Sequence, residues 1–346
     1  MSTPAAPHSI CLLRLSALGD ATHVLPLVHT LRRAWPRVPI TWILGKGEAR
    51  LMEGLEDVEL LVFDKSAGLQ GLHDLRTRLA GRRFEVLLQM QLALRANLLS
   101  ALISAERRIG YDRARSKEGH SLFINERIPP GGHHVLDVFG KFCEPLGLRQ
   151  EKVEWNLPIP QAARDWAAEQ LPGDQGTLLI SPCSSHQLRN WSPDRYAAVA
   201  DHAATKGWRI AICGGRSALE RRTGDAILAA MKHPALDLIG KDTLKQLAAL
   251  LERATMVLSP DSGPAHIANA VGSKVIGLFA CTDRERCGPY SDLRFSVNHY
   301  DEASRKFMGK PASELRWGKR VEFPGVMELI PVEEVIGRFD LFDSAT

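Results

Sequence analysis

Short apolar runs and longer segments of helical period alternate along most of the chain. Residues 10–15 (ICLLRL) are apolar with one interruption, and a turn-like stretch at 16–20 leads into a helical pattern beginning near Ala21. That pattern carries Leu25, Leu27, Val28, Leu31 and Ala34 before Pro36 stops it. Further strands are expected at 40–44, 59–63 and 85–90, and helices at 69–79 and 92–103. Across 151–160 (EKVEWNLPIP) the period lapses, and two prolines mark a linker. Alternation then resumes with helices at 162–170, 193–206, 217–231, 244–251 and 263–270. Between them fall strands at 176–181, 208–213, 237–239, 256–258 and 274–278, and an amphipathic helix at 331–342 ends the series. Strand and helix alternating at such short spacing predict α/β architecture, a parallel sheet with helices on both faces. Two domains are expected, 1–155 and 156–330, with a C-terminal helix within 331–346 packing back on the first.

A chain of 346 residues, 45% hydrophobic and 24% charged, is long enough for two cores and too apolar for a disordered chain. The net charge of +4 is too mild to indicate general nucleic-acid binding, although a local basic patch for an anionic partner fits it. No stretch approaches the ~20 apolar residues that span a bilayer, and residues 1–9 lack the features of a secretory signal. The expectation is a cytoplasmic chain able to sit on the inner face of the inner membrane. Six cysteines, none in a C-x-x-C pair and none with His at metal-ligand spacing, are expected to be buried and reduced.

In open parallel sheets, ligands bind beyond the carboxyl ends of strands, where loops enter helix N-termini. Three segments stand there. LSALGDATHVLP (15–26) lacks G-x-G-x-x-G, which argues against a dinucleotide enzyme, and places Asp20 at a strand–helix junction. Asp20 either caps the helix or serves as a general base. ISPCSSHQLRNWSPDRY (180–196) sets Ser184, Ser185 and Arg189 on one loop, which reads equally as a diphosphate clamp or as a solvated loop anchored by Trp191. VLSPDSGPAHIANAVG (257–272) crowds Asp261, Ser262, Gly263 and His266 at one strand end, just where a helix begins. Unpaired amides and a positive dipole end there suit a phosphate. A dense basic stretch, RRIGYDRARSKEGH (107–120), reads as a solvated loop or as a surface for an anionic ligand.

Asp-x-Gly-x-x-His at 261–266, Gly-Asp at 19–20, the Ser-Ser…Arg-Asn-Trp loop at 184–191 and GLFACTD at 277–283 resemble glycosyltransferase family 9. These are the lipopolysaccharide heptosyltransferases, and among them the chain is most similar to heptosyltransferase I. The resemblance extends over nearly the whole chain. It implies the GT-B fold, two Rossmann-like domains facing a central cleft, with acceptor on the first and nucleotide sugar on the second. It further implies transfer of L-glycero-D-manno-heptose from ADP-heptose to a Kdo residue of the lipid A-linked inner core, with inversion. Carried over by position, Asp20 is the base. Ser184, Ser185 and Arg189 match the diphosphate loop, where the family often has Thr-Thr and Lys. Asp261 matches a residue holding donor-sugar hydroxyls, Ser262 and Gly263 the phosphate cradle, and His266 a donor-site histidine. Glu220 matches the ribose carboxylate, and the backbone at Lys241 and Asp242 the adenine contact. On the acceptor side the resemblance points to Lys117, and Arg113, Arg115, Lys65 and Arg95 are further candidates. No Asp-x-Asp motif occurs, so no obligatory metal or other cofactor is expected. The same residues also fit a family member with another nucleotide sugar or acceptor, or a non-catalytic sugar-nucleotide-binding regulator.

Overall fold

A computed structural model describes residues 4–344. The chain divides into two compact units, up to Pro158 and from Ile159. The first contains β1 (Ile10–Leu13), α1 (Leu18–Ala34), β2 (Ile40–Gly45), α2 (Lys46–Met52), β3 (Val58–Phe63) and α3 (Gly68–Leu79). It continues with β4 (Phe84–Gln89), α4 (Leu94–Ser100), β5 (Ala105–Gly110), β6 (Glu126–Arg127) and α5 (Val135–Gly140). The second contains α6 (Gln161–Gln170), β7 (Thr177–Ile180), α7 (Pro193–Thr205), β8 (Arg209–Ile212), α8 (Ala218–Ala230), β9 (Leu236–Asp237) and α9 (Leu244–Arg253). After these come β10 (Met256–Pro260), α10 (Gly263–Ala270), β11 (Lys274–Phe279), α11 (Arg284–Cys287), β12 (Val297–Asn298), α12 (Tyr300–Met308) and α13 (Val332–Asp343).

Each unit is built on a parallel six-stranded sheet, ordered β3-β2-β1-β4-β5-β6 in the first and β12-β11-β10-β7-β8-β9 in the second. Strand order reverses between β1 and β4, and again between β7 and β10. The central strands are buried on both faces, which explains their unbroken apolar runs: ICLL in β1 and TLLI in β7 are buried at every position. Pairing of Leu258 with Ile180 sets the end of β10 beside the end of β7. All six cysteines are buried and free.

Two expectations change. The helix expected over 92–103 ends at Ser100, and residues 105–110 form a strand instead. This strand escapes an apolar pattern because its arginines are satisfied within the fold. Arg107 forks onto Glu126 at 2.7 and 2.8 Å, while Arg108 donates to the carbonyls of Ser100, Ile103 and Phe123. The C-terminal helix, expected on the first domain, packs on the second. Its Val335, Phe339 and Phe342 belong to the core of that unit. The Phe339 ring meets Trp208 edge-on at 4.9 Å, and His202 and Trp208 each hydrogen-bond an aspartate of α13 at 2.8 Å. The apolar stripe of α13 therefore completes the face of α7, whose own apolar side chains would otherwise meet water. Phe339→Ala should destabilise the second unit by about 3–5 kcal/mol. Chemical denaturation followed by tryptophan fluorescence checks this, and an unchanged midpoint would contradict the packing.

Candidate active site

The reversal between β7 and β10 gathers most of the residues singled out in the second unit. Backbone pairing continues past the strands, Ser181 N–H donating to the Leu258 carbonyl at 3.0 Å. Ser262 caps α10 from an extended conformation, its hydroxyl accepting from Ala265 N–H at 3.4 Å and bonding the Ser259 hydroxyl at 2.8 Å. Gly263 and Pro264 open the helix, so its positive end faces the same edge of the sheet. Asp261 lies against His266 at 3.3 Å and Arg189 at 3.9 Å. Burial by itself would raise the Asp261 carboxyl. The His266 contact, with Arg189 and the Thr282 hydroxyl, outweighs it and brings the group down to about 2.

Arg189 is buried, and its Nε and Nη2 both donate to Glu322 Oε1 at 2.7 Å. The guanidinium thus stands between two carboxylates, Glu322 and Asp261. The loop that carries it is pinned, since Asn190 Oδ1 accepts from Ser184 N–H at 2.7 Å and the Cys281 thiol donates to the Leu188 carbonyl at 3.2 Å. Ser184 is buried, whereas Ser185 is exposed on the same turn. Glu322, in the segment KRVEFPG, carries no motif and is not legible in the sequence.

Farther along the edge, Glu220 fastens the turn after β8, accepting from Gly215 N–H at 2.7 Å and the Ser217 hydroxyl at 2.6 Å. A Cβ at Gly215 would come within 2.9 Å of Glu220 Oε2, so glycine permits this closure. Gly240 N–H donates to the Gly214 carbonyl at 2.8 Å, which brings Asp242 to the same turn. Burial, with a smaller contribution from Glu220, pushes the Asp242 carboxyl up to about 6. Lys241 turns back, donating to the Asp237 carbonyl at 2.6 Å. Burial also raises the Cys183 thiol, and Glu220 adds to that shift, linking this turn to the serine loop.

In the first unit, α1 begins at Leu18, so Asp20 lies within its first turn rather than ahead of it. Its carboxylate pairs with Arg14 and accepts from Ala17 N–H at 3.4 Å. Arg14 is itself fixed, donating to the Met90 carbonyl at 2.6 Å with its guanidinium 5.3 Å from the Phe139 ring. The helix-capping and base readings of Asp20 are therefore compatible, because Arg14 sets the carboxylate's orientation at the end of β1. Arg14 was legible only as the interruption in an apolar strand.

Beside this loop lies a cavity of about 630 Å³ whose lining includes Ser16, Lys46, Glu48, Lys65, Gln91 and Arg95. The Ser16–Ala17 peptide there is cis. Lys46 pairs with Asp64 at 2.5 Å, and burial raises the Glu48 carboxyl against the opposing charges of Lys65 and Arg14. Lys65 and Arg95 thus reach the cavity. Lys117 and Arg113 are exposed on the loop after β5 and do not line it, although Glu118 does. Arg115 departs from its expected role: its guanidinium pairs with Asp112 and donates to the Gly131 carbonyl at 2.8 Å, bracing the loop from within. Among the described residues, no group of three or more His, Cys, Asp or Glu is placed to hold a metal ion.

Residues 72–316 match glycosyltransferase family 9 (heptosyltransferase). The chain is 40% identical over 334 residues to the lipopolysaccharide core heptosyltransferase OpsX of Haemophilus influenzae, covering 96% of each. A glycosyl transferase family 9 structure from Veillonella parvula superposes with a TM-score of 0.80 at 21% identity over the whole of both chains. Escherichia coli heptosyltransferase WaaC with ADP gives 0.69 at 19% identity, covering 84% of this chain and 93% of that one. These likenesses assign the two doubly wound sheets to the GT-B fold.

The raised Asp242 carboxyl has a pH consequence. Between about pH 4 and pH 6 the folded chain retains a proton there that the unfolded chain has released. Stability therefore falls as pH rises through this window, and the full penalty is present above it. Asp242→Asn should raise the Tm by about 2–4 °C near neutral pH and by less near pH 4, measured by calorimetry at both. An equal gain at both would contradict the assignment.

Proposed function

Because the chain belongs to glycosyltransferase family 9, the heptosyltransferases, we propose that it transfers L-glycero-D-manno-heptose from ADP-heptose to a Kdo residue of the lipid A-linked lipopolysaccharide inner core. The observation that carries the reading is the constellation at the β7/β10 reversal: Arg189, Asp261 and the start of α10 on one edge. That constellation suits a sugar diphosphate, because a guanidinium and a helix N-terminus face the charge of the phosphates. The Haemophilus relative is a lipopolysaccharide core heptosyltransferase, and the WaaC structure holds ADP; both support this donor and acceptor class.

In this reading the diphosphate takes up donors of Arg189 that Glu322 otherwise occupies, with Ser184, Ser185, Ser262 and Gly263 around it. Asp261 and His266 meet the heptose hydroxyls, Glu220 the ribose, and the Lys241–Asp242 backbone the adenine. Asp20, oriented by Arg14, accepts the proton of the acceptor hydroxyl as its oxygen bonds to the anomeric carbon. The bond from that carbon to the β-phosphate oxygen breaks in the same displacement, inverting the centre. ADP leaves with its growing negative charge opposite Arg189 and the α10 amides. No divalent metal enters this scheme. The acceptor's anionic groups lie in the first-unit cavity against Lys65 and Arg95, with Lys117 and Arg113 outside its rim. Among the described residues no helix is long and apolar enough to cross a membrane. We place the protein in the cytoplasm, peripherally on the inner membrane that carries its acceptor.

Asp20→Ala should lower the rate of acceptor-dependent ADP release by about 10²–10⁴-fold while leaving ADP affinity within error. Retained turnover would overturn the assignment of the base. Lys65→Ala should raise the acceptor KM several-fold, roughly what one charge-assisted contact supplies, without moving the KM for ADP-heptose. Equal changes in both would place Lys65 elsewhere.

A further inference from the structure

One face of the first unit carries apolar side chains that its core does not use. Helix α3 turns Gly71, Leu75 and Leu79 inward. Its opposite stripe bears Leu69, His73 and Arg76 at helical spacing, with Leu72 half-buried beside them. Helix α4 repeats the arrangement with Leu94 and Leu98, one turn apart. Leu69 is 84% exposed, Leu94 52% and Leu98 57%. Between the two helices runs an open groove of about 590 Å³ lined by leucines of both, with His73, Arg76 and Arg95 and with no carboxylate among its lining residues.

The loop bearing Leu122, itself 85% exposed, is tied to α4. Glu118 accepts from Leu94 N–H at 2.5 Å and from Asn97 Nδ2 at 2.8 Å, and Arg108 bridges the carbonyls of Ser100 and Phe123. Single exposed leucines are ordinary, but a cluster on neighbouring elements with arginines along it marks an interaction surface.

We propose that this face docks on an anionic lipid bilayer. The leucines enter the acyl region, and Arg76 and Arg95 meet headgroup phosphates while their aliphatic stems cover the boundary. Charge decides for an anionic lipid surface, because the groove offers cations and no carboxylate. Continuity with the acceptor site decides for a membrane, because Leu94 and Arg95 line both the groove and the 630 Å³ cavity. A sugar held in the cavity would thus have its lipid anchor emerge onto the groove. This inference rests on the lipid-linked acceptor proposed above. It adds the surface through which the bilayer is bound, with Leu94 and Arg95 shared between that surface and the cavity.

Vesicle flotation tests it. The wild-type chain should float with vesicles of equal parts phosphatidylethanolamine and phosphatidylglycerol, and less with phosphatidylcholine alone. The double variant Leu69→Ser, Leu98→Ser alters exposed positions outside the cavity, so its thermal melt should be unchanged. It should bind the anionic vesicles at least about tenfold more weakly. Arg76→Gln should reduce the preference for anionic over zwitterionic vesicles. Transfer to a water-soluble deacylated acceptor should be untouched in the double variant, while transfer to a vesicle-embedded acceptor falls. A double variant that floats like the wild type would overturn the proposal. So would a wild type that binds no vesicles and instead forms a dimer that the double variant splits. Failure of the wild type to use the soluble acceptor, with flotation intact, would count against the heptosyltransferase reading and leave the docking surface standing.

Discussion

Parallel strands whose order reverses once cannot close over the gap they create, and both sheets are organised around that constraint. At the β1/β4 and β7/β10 reversals the connecting helices diverge to opposite faces, so the loops between them are left splayed at the carboxyl edge. Asp20 follows β1, Ser184 and Arg189 follow β7, and Asp261 follows β10. Buried apolar strands on either side hold these loop ends in register, so packing far from the chemistry fixes where the charges stand.

The charges then hold one another. In the first unit Arg14 joins the end of β4, through the Met90 carbonyl, to the carboxylate of Asp20. In the second, Arg189 sits between Glu322 and Asp261. An arginine taken out of water needs its donors satisfied, and paired carboxylates meet that need in the absence of ligand. In the function proposed above, a phosphate would take the guanidinium donors that Glu322 fills. Only part of the basic stretch at 107–120 is available to a ligand, because Arg107, Arg108 and Arg115 brace the strand and loop that carry it.

The sheet strands were legible because burial on both faces writes a continuous apolar run, as in β1, β7 and β10. Strand β5 was hidden because two arginines satisfied inside the fold look like a solvated charge run. The destination of α13 was also hidden: its apolar stripe states that it packs, and only the tertiary structure says on which unit. At the site, the Asp261–His266 segment stood out because small, polar and acidic residues crowd one strand end. Arg14 and Glu322 did not, since each acts through a partner distant in sequence or masked by an apolar context. The family resemblance supplied roles for Glu220 and Asp242 that spacing alone does not carry, and the fold brings both to the turn closed by Gly214 and Gly240.

The proposed function depends most directly on Arg189 being the cation that meets the donor's diphosphate. Titration calorimetry of ADP-heptose into the wild-type chain and into Arg189→Ala measures it. One binding site is expected in the wild type and an affinity weaker by about 10–100-fold in the variant, the loss of a charge-assisted contact. Equal affinities in the two proteins would contradict it and move the donor site away from the β7/β10 reversal.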